Sequence, residues 1–441
     1  MSTIKSLRQA GRLSEAYALA KDAYDADPHD VWKLRDLAWV VYDYAKRKAQ
    51  SDKRAEFRRC IEQLGTLAFA EPEPVLAECV CWVVRGMMAS CIRAKVTEWT
   101  YFDWMATVLE RWTVARPSEV HSAILLAVLR VKNDWPGFVG FCRKWGLDGF
   151  GPEDYKGVTS EDGRKLLSLV ERAYMAYAKG VLTRRDVGLM TEFVPRLAEM
   201  SAAHHEYIYL PYYHAKILIA LGRRAEALAA VKPFARRKST EFWVWELLGD
   251  AQEEDGRRLV LYARALTCRS KLEMTINLRE NMARLLLRTG HAAEARAEVD
   301  VIVGVRNANR WSIPPSLTLL MREPSIVGVV ASTGNATLYS SLAAGAEEMI
   351  FGRPLVKKEK PVVSATGQEC DKVAYEGKLH VMEGGYGFVG KGSNSVYVPQ
   401  WLVAMSGIGD GEMVVGEAEM KMDVKKQRMG RRAKTIKIKQ E

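Results

Sequence analysis

Three aromatic residues near the C-terminus, Tyr386, Phe388 and Tyr397, have the spacing of a surface on which flat rings stack. In an extended strand, Tyr386-Gly387-Phe388 puts two rings on one face, and the glycine between them leaves room for something flat to lie there. Val396-Tyr397-Val398 sets a third ring between two residues suited to a core, so a sheet pairing these strands brings Tyr397 near Tyr386 and Phe388. Bases stack on such a surface with little sequence preference, each stack contributing about 1–3 kcal/mol. Upstream, Leu379 and Val381 alternate with Lys378, His380 and Met382, the pattern of a half-buried strand. Downstream, Lys421, Lys425, Lys426, Arg428, Arg431, Arg432, Lys434, Lys437 and Lys439 are opposed only by Asp423 and Glu441, and a phosphate backbone is their natural counterpart. The candidate nucleic-acid-binding residues are therefore Lys378, His380, Tyr386, Phe388, Lys391, Tyr397, Arg428, Arg431, Arg432 and Lys434. From the residues alone, the rings merely filling a small β-barrel remains the competing account.

These motifs resemble those of cold-shock-type OB-fold domains. Gly385-Tyr386-Gly387-Phe388-Val389 is similar to their first RNA-binding motif, and Val396-Tyr397-Val398-Pro399 to their second. The resemblance extends to the cold-shock domain of ribonuclease II-type exoribonucleases through Ala404-Met405-Ser406-Gly407 and Gly409-Asp410-Gly411. It implies a small all-β barrel over residues 373–441 that binds single-stranded RNA. Two positions depart from free-standing cold-shock proteins: Leu379 stands where they carry a tryptophan, and Pro399 where they carry a histidine. In the exoribonucleases the chemistry belongs to an aspartate-rich catalytic domain after the cold-shock domain, so the resemblance carries no expectation of nuclease activity for these residues. Nor does the sequence hold a P-loop, HExxH or GxSxG motif. The glycines around Tyr386 precede no helix and so form no dinucleotide fingerprint. A non-enzyme without cofactor or metal is expected.

The helical part has its own pattern. Gly222, Gly256 and Gly290 recur every 34 residues, as do Ala215, Gly249 and Ala283, then Ala227, Leu261 and Ala295, then Phe234, Cys268 and Ile302. That period resembles the tetratricopeptide repeat, and it implies helix pairs at about 208–241, 242–275 and 276–309 that stack into a superhelix with a groove for a protein partner. Gly11-Arg12-Leu13-Ser14-Glu15-Ala16, with Ala23 and Pro28 after it, has the same character. The expected organisation is an N-terminal degenerate helical region over 1–150, a superhelix over 164–310, a helical cap over 311–352, a linker over 353–372 and the barrel. The loop from Gly146 to Gly163 separates the first two. Trp99, Tyr101, Phe102 and Trp104 are expected in the core, and the cluster from His204 to His214 in packing or in the groove.

Composition sets the outer bounds. The 441 residues carry a net charge of +11, which favours an anionic partner. Seven scattered cysteines argue for a reducing compartment, and Cys79-Val80-Cys81 lacks the second pair a zinc site needs. No apolar signal core and no stretch of about 18–20 apolar residues is evident, so a cytoplasmic protein without a membrane segment is expected. The leading expectation is a bacterial-type adaptor that binds single-stranded RNA or DNA through the barrel and a protein through the helical groove. The alternatives are a protein-interaction scaffold without nucleic acid and an accessory subunit of a nucleic-acid-processing or defence assembly.

Overall fold

One kind of turn is used again and again in the helical part of the chain. After the helix Leu210–Ala220, Gly222 takes φ +77°; its N–H donates to the Ile219 carbonyl, and the next N–H, of Arg223, donates to the Leu218 carbonyl. The last carbonyls of the helix are thereby satisfied, and the left-handed backbone favours glycine because it has no Cβ to clash. Gly290 (φ +84°) and Gly11 (φ +73°) close their helices with the same two bonds. Arg12 and Arg223 then each pair with a glutamate three residues on, Glu15 and Glu226, at the start of the following helix.

The computed structural model describes residues 3–67, 69, 73–159, 165–352, 373–390, 395–423 and 428–439. Contacts divide the chain into two compact units, 1–355 and 356–441. The expected linker, 353–372, lies outside the described residues.

In the first unit, three helix pairs fall within the three 34-residue intervals. They are Leu210–Ala220 with Arg224–Arg237, Phe242–Asp250 with Asp255–Leu266, and Ile276–Arg288 with Ala292–Ala308. Ala215, Gly249 and Ala283 are buried between helices, and a Cβ on Gly249 would stand 2.6 Å from the Tyr262 ring. Ala227, Leu261 and Ala295 are fully buried, as are Phe234 and Ile302. Gly256 departs from the pattern. It lies inside the helix Asp255–Leu266, and the turn of that pair is Ala251–Glu254 without a left-handed glycine.

Upstream, Leu13–Ala26, Val31–Gln50, Arg54–Thr66, Pro74–Arg93, Trp99–Arg111, Glu119–Val128, Phe138–Trp145, Leu169–Arg184 and Val187–Ala203 build the rest of the helical core. Phe102 is fully buried there, in ring contact with Trp99 and Trp135. The expected loop after Gly146 contains a short 3₁₀ turn, Pro152–Tyr155, and a two-residue antiparallel ladder between Val158–Thr159 and Lys165–Leu166. By length and composition only, the helix Pro74–Arg93 is long and apolar enough to cross a membrane, the mean hydropathy of its best 18-residue window being 1.7. Its best window is 50% buried within the helical unit.

Residues 311–352 do more than cover the last helix pair. Ser332 N–H donates to the Ala293 carbonyl, and Asn335 Nδ2 donates to the Glu294 carbonyl and to Glu298 Oε1. Tyr339 OH donates to the same Glu298 oxygen at 2.7 Å, while Arg279 holds the other oxygen at 2.7 Å. The chain then runs back to the second pair, where Glu347 meets Arg264, and Phe351 packs on Trp245 beneath the Arg236 guanidinium. Glu298 is 2% exposed, and its charge is compensated on every side.

The second unit begins with β1 (Val373–Val381) and continues through β2 (Gly387–Val389), β3 (Val396–Val398), the helix Gln400–Ser406, β4 (Met413–Asp423), β5 (Arg428–Ala433) and β6 (Lys437–Ile438). The strand order β1-β2-β3-β5-β4, with β4 pairing back onto β1, closes a five-stranded barrel. All neighbours are antiparallel except β3 and β5. Leu379, Val389, Val396, Val398, Val414 and Ala418 alternate inward to form its core. Gly416 is required where the chain after β5 crosses β4, since a Cβ there would lie 2.1 Å from the Thr435 carbonyl oxygen that accepts the Tyr375 hydroxyl. Order, parallel pair and connecting helix together define an OB-like fold. At the C-terminal end Ile436 enters the core, whereas Ile438, in the two-residue pairing of Lys437–Ile438 with β4, is 52% exposed.

One half-buried cluster in the helical unit links fold to pH. Glu246 and Asp250 lie one turn apart on Phe242–Asp250, with Lys216 on the neighbouring Leu210–Ala220. Burial, then Asp250, push the Glu246 carboxyl up to about 7 against the pull of Lys216. Asp250 is also raised by burial, opposed by the hydroxyl that Tyr262 donates to it. A carboxyl raised from 4.5 stabilises the fold fully below that value and loses the contribution as pH climbs through about 7. Glu246→Gln is therefore expected to be more stable than wild type near pH 8 by on the order of 1–3 kcal/mol, and to show a flatter stability profile between about pH 5 and about pH 8. Denaturant unfolding at several pH values measures this, and a variant that tracks the wild-type profile contradicts it.

Candidate nucleic-acid interface

Strand register decides which candidate residues meet. His380 is opposite Phe388, Phe388 opposite Tyr397, Tyr397 opposite Arg432, and Arg432 opposite Glu419. Directly opposed residues share a face of the sheet, so these five form one row across the barrel surface. Their neighbours in sequence, Leu379, Val389, Val396, Val398 and Ala433, fill the interior. Tyr397 is 36% exposed, and Phe388 and Tyr386 are half-buried. Ring centroids stand 5.9 Å apart for Tyr386 and Phe388, 5.8 Å for Tyr386 and Tyr397, and 5.6 Å for Phe388 and Tyr397. The three rings thus brace one another while each keeps part of its surface in solvent.

Gly387 serves this arrangement differently from the sequence expectation. It is buried, and a Cβ there would stand 2.7 Å from Leu379 Cδ1 and 3.0 Å from the His380 carbonyl oxygen. The room it makes is on the inside, letting β2 close onto β1, rather than above the rings. Leu379 is fully buried, so the missing strand-one tryptophan leaves no gap in the outer row, where the register supplies His380. Asp410, in the segment similar to that of the exoribonucleases, accepts the Val381 N–H at 2.8 Å and so anchors the end of β1. Pro399 caps the helix Gln400–Ser406.

The basic candidates separate into three groups. Lys378 is exposed on β1 in the same alternation as His380, and Lys434 is exposed just beyond β5. Arg432 lies in the aromatic row, but Arg431 is opposite Val396 and so belongs to the core-facing row of β5, half-buried at the barrel's edge. Arg428 starts β5 opposite Asp423, with its side chain outside the described residues, as is the whole of Lys391. Sequence reading missed Glu419. Its only signal was the strand pairing, which sets this acid of β4 opposite Arg432 on β5. Of the histidine and tyrosine cluster in the helical unit, His204 is stacked between Tyr155 and Tyr207, and Tyr212 packs on Trp243 and Phe234.

A helical unit built of hairpins, together with an OB-like barrel bearing an aromatic row, defines the class. The family described as Domain of unknown function (DUF7017) matches residues 208–346. The match spans the three helix pairs and the returning segment tied to Glu298, so it joins to the pairs most of what the sequence alone set apart as a cap. No curated protein matches the chain.

Because the Gly387 Cβ position is blocked by backbone as well as by Leu379, Gly387→Ala should destabilise the barrel by about 1–3 kcal/mol, the usual cost of overpacking. Hydrogen exchange on the intact protein, read separately over residues 373–438, measures the loss. Unchanged protection in β1 and β2 would contradict the close approach.

Proposed function

We propose that this protein is a non-catalytic adaptor that holds single-stranded nucleic acid, RNA foremost, on its barrel and a protein partner on its helical unit. In this reading the barrel is a cold-shock-type domain and the helix pairs are tetratricopeptide-like. The observation that carries it is the row His380, Phe388, Tyr397 and Arg432, in which partly exposed rings are flanked by a cation. Bases stack on the rings while Arg432, Lys378 and Lys434 meet phosphates. The 34-residue helix pairs support the partner-binding half of the reading, since stacked hairpins expose an extended surface.

Salt separates the two contributions. In a fluorescence titration of single-stranded RNA at several salt concentrations, Arg432→Gln should weaken binding and lower the salt slope by about 0.7 for each phosphate that the arginine neutralises in wild type. Arg431→Gln should change the slope less, because Arg431 belongs to the opposite row. Phe388→Ala should weaken binding by about 1–3 kcal/mol with the slope little changed. If folded Phe388→Ala binds as well as wild type, the rings are barrel packing. The second reading, a protein-docking barrel, then takes over; Glu419 beside Arg432 favours it by offsetting the positive charge of the row.

A further inference from the structure

One cleft in the helical unit gathers positive charge, and no acid stands among its described lining residues. It lies between residues 132–139 and the helix Leu169–Arg184 and has a volume of about 390 Å³, within the range of roughly 300–1,000 Å³ typical of small-molecule sites. Lys132, Lys179 and Arg184 stand at its rim, and the buried Trp135, Phe138 and Val139 line its base. Among the described residues, none of these three cations, nor the nearby Arg172, forms an ion pair. A second basic cleft, near Lys46 and Arg47, is different, for there Asp43 pairs with Arg8 at 2.6 Å.

The walls are set before any ligand arrives. Trp135 Nε1 donates to Asp103 Oδ1 at 2.9 Å, and Gly180 lets the helix approach so closely that a Cβ would lie 2.5 Å from Val139 Cγ2. Arg184 donates to the Pro136 carbonyl, which fixes the guanidinium at the rim. Lys179 Nζ donates to Asn133 Oδ1 at 3.1 Å, while the Asn133 amide nitrogen and the Lys132 ammonium carry no hydrogen-bond partner among the described residues.

We propose that this cleft binds a small phosphate-bearing ligand, pyrophosphate or the diphosphate of a nucleotide, held by Lys132, Lys179 and Arg184. Burial, then Arg172 and Lys179, push the Lys132 pKa below the ordinary lysine value, and a bound polyanion relieves the mutual repulsion that contributes to this. The cations ring a concavity instead of forming a stripe along the surface, which favours a compact anion over a polymer backbone.

Isothermal titration of the full chain with pyrophosphate, with ADP and with a single-stranded oligonucleotide tests the proposal. Wild type should bind pyrophosphate or ADP, and Lys132→Gln/Lys179→Gln should bind it roughly tenfold more weakly or worse. Lys46→Gln, which leaves the cleft intact, should bind as wild type does. Asn133→Asp, which removes no cation but brings a carboxylate to Lys179, should also weaken binding. Tighter binding of ADP than of pyrophosphate identifies a nucleotide as the ligand, and equal or weaker binding identifies the phosphates alone. Absence of binding in the millimolar range overturns the proposal. So does an equal loss in Lys46→Gln and the double variant, or a double variant that weakens only the oligonucleotide. The oligonucleotide arm, read against Phe388→Ala, reports the barrel separately, so failure of the cleft and failure of the aromatic row are distinguishable.

Discussion

The parallel pairing of β3 with β5 is the constraint on which the proposed interface depends. It closes the barrel, and closure fixes inside and outside for every strand at once. With Val396 opposite Arg431 and Tyr397 opposite Arg432, the valines of β3 must face the core, and Tyr397 must face out beside a cation. A slip of one residue would turn the tyrosine inward and the valines to solvent, so burying Val396 and Val398 selects the register that assembles the row. Interior packing therefore positions the surface chemistry, and Gly387 and Gly416, whose Cβ positions are blocked from inside, show how close the strands come.

In the helical unit the comparable role falls to satisfied polar groups at helix ends and to one buried carboxylate. The left-handed glycines at 11, 222 and 290 let one helix end and the next begin within a few residues, which keeps each pair tight. Glu298 then ties residues outside the repeating pattern to the third pair. A buried carboxylate demands partners, and Arg279 supplies one from the helix Ile276–Arg288 while Asn335 and Tyr339 supply two from the returning segment.

Much of this was legible because periodicity reports which side of an element is buried. The three 34-residue intervals marked three helix pairs, and the alternation around Leu379 and in Val396-Tyr397-Val398 marked inward and outward faces before any pairing was known. What the sequence withheld was long-range. Gly256 kept the spacing but not the conformation, because a 34-residue interval says nothing about φ. Arg431 and Arg432 looked alike in a basic run and separated only when strand parity put one in each row. Glu419, and the cleft where Lys132 meets Lys179 across 47 positions of sequence, depend on contacts that no local pattern encodes.

The central claim is that a single strand lies across His380, Phe388, Tyr397 and Arg432. Ultraviolet crosslinking of the full chain to single-stranded RNA, followed by mass spectrometry of the digested protein, tests it most directly, because direct crosslinks form only where bases and side chains touch. Crosslinked peptides should carry the RNA at Phe388, Tyr397 or Tyr386. Crosslinks confined to the helical unit, in a protein whose barrel remains folded, would contradict the account.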